Sequence, residues 1–130
     1  MSARRILLIH QDTSIEEVLH VCLRYLAGWD VVSVEVAQAN LEPDINDRLD
    51  AILVDALSPQ AYGLGFIQKL FIQKLKKNRN TQSVPILLLT DKADWFTAEQ
   101  LHALGIEGAI GKPFDPVTLP TQIANLLRWD

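Results

Sequence analysis

Three side chains of different chemistry stand just past the ends of short apolar runs. Asp55 follows Ala51-Ile52-Leu53-Val54, Thr90 follows Val84–Leu89, and Lys112 comes soon after Ala109-Ile110. Four apolar residues bounded by acids and a proline are too few for a helix and suit a strand covered on both faces. In an open parallel sheet, ligands gather outside the carboxyl ends of the strands. A carboxylate, a hydroxyl and an ammonium brought there by neighbouring strands can converge on one small site. The plainer reading of Asp55 is that it caps or ends its strand. A first run of the same kind, Ile6–Ile9, ends in His10-Gln11-Asp12.

The separations among further residues narrow the choice. The stretch DAILVDALSP holds Asp55 and, in the loop beyond, Pro59; then come Gly63-Leu64, Val84-Pro85, Thr90, Gly105 and Lys112-Pro113-Phe114. None is specific alone. Together, the sequence resembles over essentially its whole length the receiver domain of bacterial two-component response regulators, the flavodoxin-like fold also used by the chemotaxis receiver. The resemblance implies that Asp55 is the phosphoacceptor, taking a phosphoryl group from a histidine kinase as an aspartyl phosphate. Lys112 then supplies a fixed positive charge to a phosphoryl oxygen. The Thr90 hydroxyl moves to bond another, carrying its loop with it as a switch. Magnesium, held by a pair of acids at the end of the first strand together with the phosphoacceptor, neutralises the rest.

That acid pair is missing. The two positions are His10 and Gln11, with Asp12 one place too late. An intact site of three carboxylates and one lysine is formally −2 and invites a divalent cation. Asp55, Lys112, Gln11 and a neutral His10 sum to zero. A metal site would therefore fall to Asp55 and an inward-swung Asp12, with Asp91 a further source of charge, and magnesium is expected to bind weakly or not at all. There are other departures. Ala109 stands where receivers commonly carry an aromatic, and Asp91 puts a negative charge where phosphate would arrive. Trp95 and Phe96 are either a relocated aromatic switch or packing for the fourth helix.

The totals set the frame for these residues. At 130 residues the chain is long enough for one well-buried core, and its composition is that of a soluble globular domain. A net charge of −4 with no basic stripe argues against a nucleic-acid partner. Cys22, the single cysteine, precludes an intrachain disulfide and reads as core. Arg4-Arg5 precedes only four apolar residues, too few for a signal peptide or a membrane span, so a cytoplasmic location is expected.

Elements that could position the three groups alternate along the chain. After strand Ile6–Ile9, Ser14 and Glu17 form a capping box, and Ile15, Val18, Leu19, Cys22, Leu23 and Leu26 repeat at helical spacing up to Gly28. Val31–Val36 is the second strand, and Asn40–Arg48 a short helix. Beyond Ala51–Val54, Leu64–Lys77 is an amphipathic helix whose basic end, with Arg79, is solvated. Thr97 and Gln100 box the next helix, which ends at Gly105; the last begins with Thr118 as N-cap and Pro120 in the first turn. Strand and helix alternate five times. This implies an α/β doubly wound five-stranded parallel sheet, (βα)5, which the resemblance orders 2-1-3-4-5. Residues 1–130 read as a single receiver domain with no output domain.

Phe66–Leu70 is repeated literally as Phe71–Leu75. Five added residues lengthen a helix by about 7.5 Å and rotate its later turns by about 140°. One copy can then face the core while the other presents an apolar contact patch, such as a homodimer would use; the alternative is a longer helix with a slightly larger core. His20 and His102 read as surface or boundary residues. The expected role is signalling by protein contact with a sensor histidine kinase or another signalling protein, not catalysis. One alternative is a pseudo-receiver, an interaction module indifferent to phosphate. The other is a dehalogenase-like phosphatase, which needs a second acid where this chain has Leu57.

Overall fold

The computed structural model describes residues 4–10, 13–35, 48–55, 72–73, 75–79, 81–90, 93 and 97–129. Strands β1 (Arg5–His10), β2 (Asp30–Glu35), β3 (Ala51–Asp55), β4 (Ile86–Thr90) and β5 (Gly108–Gly111) form one sheet in the order 2-1-3-4-5. Every neighbouring pair is parallel. This is the doubly wound flavodoxin-like fold expected from the alternation of elements. All but the last residue of the expected Asn40–Arg48 helix, and Leu64–Phe71 with Lys74, lie outside the described residues.

Side-chain alternation along the buried strands divides the core in two. Leu7, Ile9, Ile52, Val54, Ile86 and Leu88 point to one face, covered by Ile72, Leu75, Leu101 and Ile106. Ile6, Leu8, Ala51, Leu53, Leu87, Leu89 and Ile110 point to the other, covered by Leu19, Cys22, Leu23, Leu119 and Ile123. Each large side chain so buried contributes about 1.5–3 kcal/mol. Ile72 and Leu75 belong to the second copy of the repeat, so these two residues are core and do not form an exposed patch.

Three helices are described in full: α1 (Thr13–Val21), α2 (Ala98–Ala103) and α3 (Leu119–Leu127). The Thr97–Gln100 box forms as expected, the Thr97 hydroxyl accepting from the Gln100 N–H and the Gln100 side chain from that of Thr97. Gly28 and Gly105 take left-handed φ values of +70° and +82° just past their helices, the conformation glycine adopts without penalty.

Other local expectations need correction. Helix α1 already includes Thr13, so Ser14 lies inside the first turn and is not the N-cap. Cys22–Leu26 winds as a π-helical turn, not as continued α-helix. Of the expected apolar stripe, Leu19, Cys22 and Leu23 are buried, whereas Val18 in α1 and Leu26 at the end of the π turn are 44% and 56% exposed. Thr118 is the N-cap of α3 by position, yet its hydroxyl makes no capping bond. Asp115 serves instead, its carboxylate accepting from the Val117 N–H and its carbonyl from those of Thr118 and Leu119. Trp129 ties the end of the chain to its start: its ring meets Trp29 edge-on at 5.3 Å and lies 4.1 Å beneath the Arg4 guanidinium.

Candidate functional site

Asp55 and Lys112 meet. The end of β3 carries the aspartate into the interior, where it is 0% exposed, and Lys112 just beyond β5 reaches back across β4. Lys112 Nζ donates to Asp55 Oδ1 at 2.6 Å, while the lysine side chain keeps 18% of its exposure. A buried carboxylate needs such a partner, because an isolated charge there would lose its hydration without return. The lysine's backbone is held by its N–H, which donates to the Thr90 carbonyl at 2.8 Å.

Thr90 is buried at the end of β4, between the strands that carry the other two. In register, Asp55 pairs with Leu89 and Thr90 with Gly111, so the threonine stands one residue farther out than the aspartate. All three groups therefore stand at one edge of the sheet, where the spacing of the apolar runs puts them. Within the trio, the side chains of Asp55 and Lys112 are joined directly. Gln11, Asp12, Asp91, Trp95, Phe96 and Leu57 lie outside the described residues.

His10 ends β1, the strand beside β3, and is 4% exposed. Its Nε2 lies 3.3 Å from Glu16 Oε2, across the gap from strand to helix α1. The other Glu16 oxygen accepts the Ser33 hydroxyl of β2 at 2.7 Å. His20, one turn on from Glu16, comes within 3.3 Å of that hydroxyl and 3.9 Å of Oε1. Sequence reading misses this group: the Ser14–Glu17 box draws attention away from Glu16, whereas Glu17 is exposed. The signal that could have found it is the i,i+4 spacing of Glu16 and His20 on the helix after His10. His20 is accordingly a half-buried partner of this group, and His102 is on the surface as expected.

Among the described residues, two side-chain polar atoms are buried with no hydrogen-bond partner: His10 Nδ1 and Asp55 Oδ2. No group of three or more His, Cys, Asp or Glu among the described residues is arranged to hold a metal ion. No helix among them is long and apolar enough to cross a membrane.

Comparison with known proteins agrees with this geometry. The phosphate regulon transcriptional regulatory protein PhoB of Pseudomonas aeruginosa is 27% identical over 128 residues, which cover 98% of this chain and 53% of that one. The alkaline phosphatase synthesis transcriptional regulatory protein PhoP of Bacillus subtilis is 27% identical over 96% of this chain and 49% of its own. The chain thus spans about half the length of the curated relatives it matches. Among solved structures, the receiver domain of a Pseudomonas aeruginosa sensor histidine kinase, with magnesium coordinated in its active-site cleft, superposes with a TM-score of 0.74. It is 25% identical, over 98% of this chain and 99% of that one. The chemotaxis response regulator CheY4 of Vibrio cholerae shares the fold, with a TM-score of 0.71 at 22% identity over 96% of this chain and 99% of its own. The model of the response regulator receiver domain matches residues 6–124, and the chain belongs to that family of two-component signalling domains.

Proposed function

We propose that this receiver accepts a phosphoryl group on Asp55 from a sensor histidine kinase and signals by the resulting change of surface. The observation that carries the reading is the buried Asp55–Lys112 pair at 2.6 Å, in which one carboxylate oxygen is bonded and the other is unpartnered. In the transfer a carboxylate oxygen of Asp55 forms a bond to phosphorus as the P–N bond of a phosphohistidine breaks. The leaving imidazole keeps that electron pair and takes up a proton. Lys112, already in the pocket, stabilises the charge that moves onto the phosphoryl oxygens. Thr90, on the strand between the two members of the pair, is the hydroxyl that follows them.

The described residues do not suit magnesium. It demands oxygen ligands in near-octahedral order and is anchored by one or two carboxylates. Here His10 offers nitrogen, and Asp55 offers one open carboxylate oxygen, Oδ2. We infer weak magnesium binding, with phosphoryl uptake correspondingly slow when magnesium is the only divalent ion. The domain works in the cytoplasm as one receiver unit.

Intact-mass measurement after incubation with a small phosphodonor such as acetyl phosphate tests the acceptor. One phosphoryl group should appear on the unmodified chain, vanish with Asp55→Asn, and appear about tenfold faster or more with His10→Asp and Gln11→Asp together. Equal labelling of the unmodified chain and Asp55→Asn would overturn the assignment of Asp55. No labelling of either, even with the acid pair restored, would favour the phosphate-independent interaction module.

A further inference from the structure

The two unpartnered atoms sit on neighbouring strands. β1 and β3 run parallel with Ile9 paired to Val54, so His10 and Asp55 are the next residues along each. Alternation puts both on the face that Leu8 and Leu53 share. Glu16 determines what His10 offers there. A carboxylate only accepts, so its approach to Nε2 at 3.3 Å selects the tautomer with the proton on that nitrogen. In that tautomer Nδ1 is a lone-pair donor, and no hydrogen bond reaches it. Asp55, bonded to Lys112 through Oδ1, leaves Oδ2 without a partner. Two acceptors cannot satisfy each other; buried on neighbouring strands and one face, they call for a cation or a shared donor.

The chemistry of the pair selects among cations. Imidazole nitrogen suits zinc and the later first-row dications, whereas magnesium keeps to oxygen. A ring nitrogen that donates to a carboxylate while the other faces inward is also how metal-binding histidines are usually oriented. We propose that the phosphoacceptor pocket takes a zinc-class transition-metal dication on His10 Nδ1 and Asp55 Oδ2, in preference to magnesium, with Glu16 orienting the imidazole. Two protein donors leave the remaining positions to solvent or phosphoryl oxygens, an open site and not a structural one. The inference rests on the pocket proposed above but not on phosphoryl transfer.

The test is a titration of the 15N-labelled chain with Zn2+ and separately with Mg2+, without phosphodonor, following the histidine ring nitrogens by NMR. Zn2+ should move the Nδ1 resonance of His10 to its metal-bound position at one equivalent, with those of His20 and His102 unmoved. Calorimetry should give an affinity for Zn2+ about a hundredfold or more above that for Mg2+. Asp55→Asn should weaken Zn2+, and Glu16→Gln should weaken it about tenfold. Because the NMR readout uses the unmodified chain, it stands even where a variant fails to fold. An unmoved His10 resonance, Zn2+ seated on His20, His102 or Cys22, or Mg2+ binding as tightly would each overturn the proposal. Failure here with Asp55 still phosphorylated would leave the acceptor standing. Binding of Zn2+ at His10 and Asp55 with no phosphorylation would do the reverse.

Discussion

The two sides of the pocket solve the same problem in opposite ways. On the β5 side a buried carboxylate is met by a lysine at 2.6 Å, and formal charge cancels inside the pocket. On the β1 side a buried imidazole is met by a carboxylate at 3.3 Å, and that carboxylate stands outside the pocket, on α1, 29% exposed. The first arrangement leaves one oxygen unbonded and the second one nitrogen. The β5 side keeps the residue types that the receiver resemblance expects, while the β1 side has replaced two acids with His10 and Gln11. On the proposed reading, the β5 side sets the acceptor chemistry of Asp55, and the β1 side decides which cation joins it.

The largest effect should come from breaking the β5 pair at its lysine. Lys112→Met leaves the fully buried Asp55 without its partner, and urea unfolding should show a loss of about 3 kcal/mol, since breaking a buried pair on one side is strongly destabilising. Asp55→Asn should cost less, because the lysine left behind retains access to water. Adding Asp55→Asn to Lys112→Met should recover most of the loss. Equal costs for the two single variants would mean that the pair is effectively solvated and that the contrast in burial is empty.

On the β1 side the same measurement should read smaller. Glu16→Ala removes the partner of a 5%-exposed His10 ring, but that partner is itself 29% exposed and the contact is longer, so a loss of about 1–2 kcal/mol is expected. A loss matching that of Lys112→Met would show the two sides to be alike.

This asymmetry also marks how far the sequence could be read. The sheet was legible because β1, β3 and β4 are buried on both faces, so Ile6–Ile9, Ala51–Val54 and Ile86–Leu89 stand out as short unbroken apolar runs. The placement of Asp55 and Thr90 was legible for the same reason, each coming after such a run, whereas Lys112 follows the short, partly exposed β5 and was placed by the resemblance. The Thr97 box was local and was found. Glu16 was not, since its partners His10 and Ser33 come from two strands and no local rule links them. The π turn at Cys22–Leu26 was equally hidden, because an apolar repeat fits an α-helix until one turn takes an extra residue.

The smallest effect concerns Cys22, which backs the β1 side behind α1. Burial pushes its thiol up, with the Asp115 charge adding to the shift. A raised thiol favours the folded chain with its proton on, so this contribution is complete below the ordinary value of 9.0 and is lost as pH rises through the folded value. Denaturation of the unmodified chain and Cys22→Ala from neutral to alkaline pH should show their stability difference constant below 9.0 and drifting against the unmodified chain above it. The drift should not exceed about 1.4 kcal/mol per pH unit. A difference independent of pH throughout would mean that the thiol is not held in the core.

The separation of acceptor from cation choice is tested most directly by calorimetry of Mg2+ against the unmodified chain and against His10→Asp with Gln11→Asp. The account predicts binding weaker than about millimolar for the first and a gain of about tenfold or more for the second, since two restored carboxylates supply the oxygen anchors magnesium requires. Submillimolar binding by the unmodified chain, unchanged when the acids are restored, would contradict it.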